Sequence, residues 1–153
     1  MGLFGKLKGM KNAITGGGAE VTVEVGEAQL GGVAPVRVTA LAKADFNIQR
    51  VYLLVQCNEG ALVHDVDVAR NGQLYRETVE GEVCTCNLEI DIAEGGSLSE
   101  GETYTWESDF ELPAEGLPTL AGQTIRNTWI IRAGLDARGN DPDSGWVEFV
   151  VYP

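Results

Sequence analysis

GETYTWESDFELPAEGLPTLAGQTIRNTWIIRAGLDARG, from Gly101 to Gly139, joins an alternating strand, a proline-punctuated turn and a second strand that runs into a Gly/Asp loop. In its first part Tyr104, Trp106, Ser108, Phe110 and Leu112 share one face, and Thr103, Thr105, Glu107, Asp109 and Glu111 share the other. A period of two, dry on one side and acidic on the other, predicts a half-buried strand in a layered β structure. Pro113 to Gly122 then reads as an irregular crossing between two sheets, and Gln123 to Ala133 as the strand carrying Trp129.

The same alternation extends outward. Ala19 to Gly26 sets Val21, Val23 and Val25 against Thr22 and Glu24, and Val33 to Lys43 sets Val36, Val38 and Ala40 against Arg37 and Thr39. Gln49 to Cys57 is apolar on both faces, as a central strand should be. Shorter strands are predicted at Leu62 to Ala69 and Gln73 to Glu80, with Asn71-Gly72 between them as a tight hairpin turn. Glu82 to Ala93 aligns Cys84, Cys86, Leu88, Ile90 and Ile92 on one face. Glu94 to Gly101 reads as a connection and Gly134 to Gly145 as a loop, with Trp146 to Tyr152 closing the domain. Eight or nine short strands with turn signals between them predict an all-β, antiparallel, immunoglobulin-like sandwich over residues 19–153. Its expected core includes Tyr104, Trp106, Phe110, Trp129, Leu88 and Ile90.

Residues 1–18 differ from this body. In Met1 to Thr15 the apolar residues Leu3, Leu7, Met10 and Ile14, with Phe4 alongside, fall on one stripe of a short amphipathic helix. Lys6, Lys8 and Lys11 lie off it, and Gly16–Gly18 reads as a flexible hinge. This segment carries three lysines and no acid, whereas the remaining residues carry 8 basic and 23 acidic side chains. The acidic body, within a net charge of −12, argues against a nucleic-acid partner. Leu3, Phe4, Leu7, Met10 and Ile14 are the expected partner-binding residues. They dock onto a protein partner or a second copy, with a peripheral membrane contact through residues 1–15 as the alternative. The opening residues lack an apolar run of signal length and no stretch is long enough to span a bilayer. A cytoplasmic setting is expected, membrane-peripheral if the segment meets lipid.

The turn and the strand after it also carry a family resemblance. Leu112-Pro113 and Leu117-Pro118, followed by the Trp129 strand and by Ala133-Gly134-Leu135-Asp136 ahead of a Gly-rich loop, resemble the arrestin-like fold. The likeness is to the amino-terminal domain of bacterial sporulation-control proteins of the SpoOM type, over roughly Glu20 to Pro153. That family is built as two tandem sandwiches, and 153 residues hold only one. The resemblance implies a non-enzymatic adaptor or scaffold and supplies no catalytic residues.

The residues themselves offer little chemistry. Cys84-Thr85-Cys86 has the wrong spacing for a zinc pair and is expected to pack in the core, reduced and without metal. His64 is the sole histidine, and its neighbours Asp65 and Asp67 fit a solvated strand face. Asp136, Asn140, Asp141 and Asp143 gather oxygens in one loop, but Arg138 intrudes and Val147 stands where a calcium loop ends in Glu. A turn is favoured there. A calcium- or carbohydrate-binding module using this loop and Trp146 is the alternative function. No catalytic residue, cofactor or metal ligand is assigned. The leading expectation is a scaffold working by protein–protein contact, self-association included.

Overall fold

The computed structural model describes residues 15–153. Eleven strands follow in order: β1 (Thr15–Gly16), β2 (Ala19–Val25), β3 (Ala28–Gln29), β4 (Val33–Ala42), β5 (Phe46–Arg70), β6 (Gln73–Leu98), β7 (Thr103–Glu111), β8 (Leu120–Ala121), β9 (Ile125–Ala137), β10 (Val147–Phe149) and β11 (Val151–Tyr152). One sheet has the order β1-β2-β4-β7 and the other β10-β9-β5-β6, with β8 added to β9. Both are antiparallel throughout, while β11 lies parallel to β3 as a short closing pair. The predicted amino-terminal helix and its residues Leu3, Phe4, Leu7, Met10 and Ile14 lie outside the described residues. Thr15, its last predicted residue, is in β1. Gly16 pairs with Ala19 across a Gly17-Gly18 turn, so the triple glycine forms a small hairpin rather than an open hinge.

Alternation places the core. Val21 and Val23 of β2, Val36, Val38 and Ala40 of β4, Leu53, Val55 and Cys57 of β5, and Trp129, Ile131, Ala133 and Leu135 of β9 are all buried between the sheets. Phe110 is buried as expected, and its ring meets Phe149 edge-on at 6.2 Å. Tyr104, Trp106, Leu88 and Ile90 correct the expectation: they are half-buried and pack against the core from its rim. The reason is position, because β6 and β7 are the edge strands of their sheets. Tyr104 and Trp106 stack on each other there, centroids 6.2 Å apart.

The crossing after β7 seals one end of the sandwich. Leu112 donates its amide to Gly32 O, and Leu117 O accepts both the Trp129 indole N–H at 2.9 Å and an Asn127 amide N–H at 2.8 Å. A buried indole needs such an acceptor. The Leu-Pro turn supplies it.

Two boundaries differ from the sequence expectation. The segments predicted as Gln49–Cys57 and Leu62–Ala69 are one 25-residue strand, and Gln73–Glu80 with Glu82–Ala93 form one 26-residue strand. Asn58 to Ala61 are held in the ladder from both sides, by β6 and by β9, so no break occurs after Cys57. At the other end β9 continues to Ala137, and the loop predicted from Gly134 begins only after it. Gly134 sits directly opposite Tyr52, where any Cβ would run into the phenol ring.

Candidate interaction surface

Beyond the Ala61–Ile125 pair β9 ends, and β5 and β6 continue as a two-stranded arm. Leu62 to Arg70 pair with Gln73 to Glu80, and on the other edge the Leu62 amide still donates to Thr124 O at 2.7 Å. The tip is the predicted Asn71-Gly72 turn, with φ of 51° and 77° at the two residues, as a mirror-image hairpin turn requires. A bulge lies between Val63 and Val66, with Asp65 at φ 56°, and His64 Nδ1 is 3.2 Å from Thr78 Oγ1 across it. Asp67 pairs instead with Arg76, so His64, Asp65 and Asp67 do not form one site.

Register decides what the arm shows. On the side that lower down carries Leu53, Val55 and Cys57 into the core, the arm presents Val63, Val66, Val68, Tyr75, Val79 and Val83, with Glu59 and the Arg70–Glu77 pair among them. No second layer faces them. Val63, Tyr75, Val79 and Val83 are 41%, 45%, 45% and 58% exposed. Between Glu59 and Val83 six acids stand against two arginines. Arg70–Glu77 at 2.9 Å, Arg76–Asp67 at 3.5 Å and Arg126–Glu82 at 3.1 Å are surface pairs of small energetic weight. Among the described residues Glu59, Asp65 and Glu80 have no basic partner. The sequence reading missed this surface. Its valines look like core, and the bulge breaks their period.

A second bulge corrects the cysteine expectation. β6 steps from Cys86 to Cys84 while β5 steps only from Cys57 to Asn58, which turns Cys84 off the face it was predicted to share. Cys84 is exposed, Cys86 half-buried and Cys57 buried, and all three thiols are free. Cys57 Sγ donates to Asn127 Oδ1 at 3.0 Å. Burial, with Cys57 and Cys84 nearby, pushes the Cys86 thiol up from its ordinary range.

The acidic loop is occupied with its own structure. Asp136 Oδ2 accepts from Arg50 Nε at 3.0 Å, and the same guanidinium reaches Glu89 at 2.7 Å and Asp91. Those carboxylates, Glu89 foremost, hold Arg50 more firmly protonated than an ordinary arginine. Asp141 accepts from the Tyr52 hydroxyl at 2.9 Å and the Ala137 amide at 3.0 Å, and Asp143 accepts from the Gly145 amide at 2.7 Å. Asn140 is exposed. Trp146 is half-buried, with the Arg132 guanidinium 5.0 Å over its ring. Among the described residues no group of three or more His, Cys, Asp or Glu side chains is placed to hold a metal ion. No described helix is long and apolar enough to cross a membrane.

A comparison of folds agrees with this architecture. The crystal structure of Spo0M, the sporulation control protein from Bacillus subtilis, superposes with a TM-score of 0.60 over 90% of this chain, at 15% sequence identity. The fold is that of Spo0M. The arrestin-like sandwich predicted from the Leu-Pro turn and the Trp129 strand is therefore present. The superposition takes in 50% of the Spo0M chain, so this chain spans about half its length. No family model matches the sequence, and no curated protein matches it.

Proposed function

We propose that this chain is a non-enzymatic scaffold or adaptor that works by protein–protein contact, including contact with its own copies through the amino-terminal segment. The observation that carries this reading is the uncovered apolar stripe on the projecting arm, in a chain whose polar clusters are consumed in holding loops and sheets. Contiguous apolar surface of this kind marks a contact site. The likeness to a sporulation control protein, a fold-level analogy, supports a regulatory role rather than a chemical one. The amino-terminal residues Leu3, Phe4, Leu7, Met10 and Ile14 supply the second apolar stripe.

The test is the mass of the native particle across concentration, for the full chain and for Leu7→Asp with Met10→Asp. The parent is expected to associate and the variant to stay at the mass of one chain. A parent that remains a single chain throughout removes self-association from the reading. The calcium alternative is checked on the same sample: tryptophan emission is expected to show no saturable change on calcium addition, and a saturable one restores it.

A further inference from the structure

We infer that the arm of one copy is the receptor for the amino-terminal segment of the next, seating that segment's apolar stripe on Val63, Tyr75 and Val79. The inference rests on the self-association proposed above and names its surface. Three observations support it. The arm carries a row of apolar side chains on one side, with Glu59 and Glu77 among them, and is acidic overall, whereas residues 1–14 combine seven apolar residues, Met1 and Ala13 included, with three lysines and no acid. Shapes also match. From Val83 to Tyr75 the stripe runs about 26 Å along the strand. Leu3 to Ile14, if helical, runs about 16 Å. A basic amphipathic helix laid on this strand pair buries both stripes and neutralises the unpaired carboxylate on that side, Glu59.

Reach decides which copy supplies the segment. Thr15 and Gly16 are pinned to β2, and the Phe46 ring at the start of β5 lies against Gly18. From Phe46 to Leu62, where the arm begins, is 16 residues of strand, about 50 Å. A helix of the 14 preceding residues is only about 21 Å long. It cannot reach its own arm. Contact between a segment at one end of the molecule and an arm at the other is head-to-tail, and such contacts build rings or filaments.

Two full-length variants test this by complementation. Leu7→Asp with Met10→Asp spoils the segment and leaves the arm. Val63→Thr, Tyr75→Thr and Val79→Thr spoil the arm and leave the segment. The threonines sit at exposed strand positions, so circular dichroism and melting should match the parent. Each variant alone is expected to associate about 100-fold more weakly than the parent. An equimolar mixture should form a species of twice the chain mass and stop there, because only one intact junction can form. An arm variant that assembles like the parent, or a mixture that stays at single-chain mass, overturns the inference while leaving self-association standing. A parent that never associates overturns both.

Discussion

Trp129 and Trp106 both lie on predicted core faces, yet they should respond differently to truncation. Trp129 is enclosed and its indole N–H is bonded to Leu117 O. Trp129→Ala should cost about 3–5 kcal/mol in a denaturant titration. Trp106 is half-buried on an edge strand, and Trp106→Ala should cost roughly half as much, about 1.5–2.5 kcal/mol. Equal losses would mean that the rim is as tightly packed as the centre. Tyr52 gives a pH signature. Burial, and then its hydrogen bond to Asp141, hold the phenol neutral and push its pKa from 10.0 up to about 12. Below pH 10 the phenol is neutral both folded and unfolded, and its contribution is intact. As pH rises toward 12 the unfolded chain ionises first, so that contribution is lost. The stability gap between parent and Tyr52→Phe should therefore narrow over this window, and a constant gap would remove Asp141 and burial as its source. Among the thiols, Cys84 should react fastest with a thiol reagent in the native protein and Cys57 slowest, since one is exposed and the other buried. Fast reaction at Cys57 would contradict its enclosure.

At the scale of elements, the arm should behave as a unit separate from the sandwich. A two-stranded ribbon without a second layer is marginal in water, and its ends open locally at low free-energy cost. In Leu7→Asp with Met10→Asp, where no neighbour's segment is seated on the arm, amides of Leu62–Arg70 and Gln73–Glu80 should exchange with solvent well before those of Leu53 or Ile131. Gly72→Val, which forces a β-branched residue to φ 77°, should speed exchange in the arm further and leave the core rates alone. Uniform protection across both regions in that variant would show that the arm is not a separate unit. The sandwich itself was legible because Val21, Val36, Trp129 and their neighbours obey a period of two on a one-sided sheet. The turn at Asn71-Gly72 was legible from its backbone demands alone. Strand length was not, because Asn58-Glu59-Gly60 looks like a break and only pairing from two neighbours keeps it extended. The exposed valines were not, since exposure depends on where the opposing sheet ends. The bulge that turns Cys84 outward depends on pairing with β5, and a single strand's pattern carries no trace of it.

Charge acts on the molecule as a whole. Against 23 acids the entire chain has 11 lysines and arginines, and the ion pairs of the described residues use six of these, Arg37, Lys43, Arg50, Arg70, Arg76 and Arg126. Among the described residues nine carboxylates stand in these pairs, and the acidic excess that remains repels itself, which opposes the compact state. Salt works on both sides of this balance. It weakens the exposed pairs, each worth about 0.2–1 kcal/mol, and it also weakens the repulsion. The repulsion should dominate, because it acts among many charges at long range. The screening length falls from about 30 Å at 0.01 M to about 8 Å at 0.15 M, so distant like-charge terms vanish first while contacts such as Arg50–Glu89 at 2.7 Å persist. The midpoint of melting should rise between these salt concentrations, by ~2–4 °C for each kcal/mol of repulsion relieved in a chain of this size. The measurement belongs on Leu7→Asp with Met10→Asp, where assembly does not contribute. Sodium chloride suffices, because a screening effect levels off by a few tenths molar whereas general salting-out keeps rising. A midpoint that falls with added salt would show that the described ion pairs, centred on Arg50, outweigh the net charge of −12.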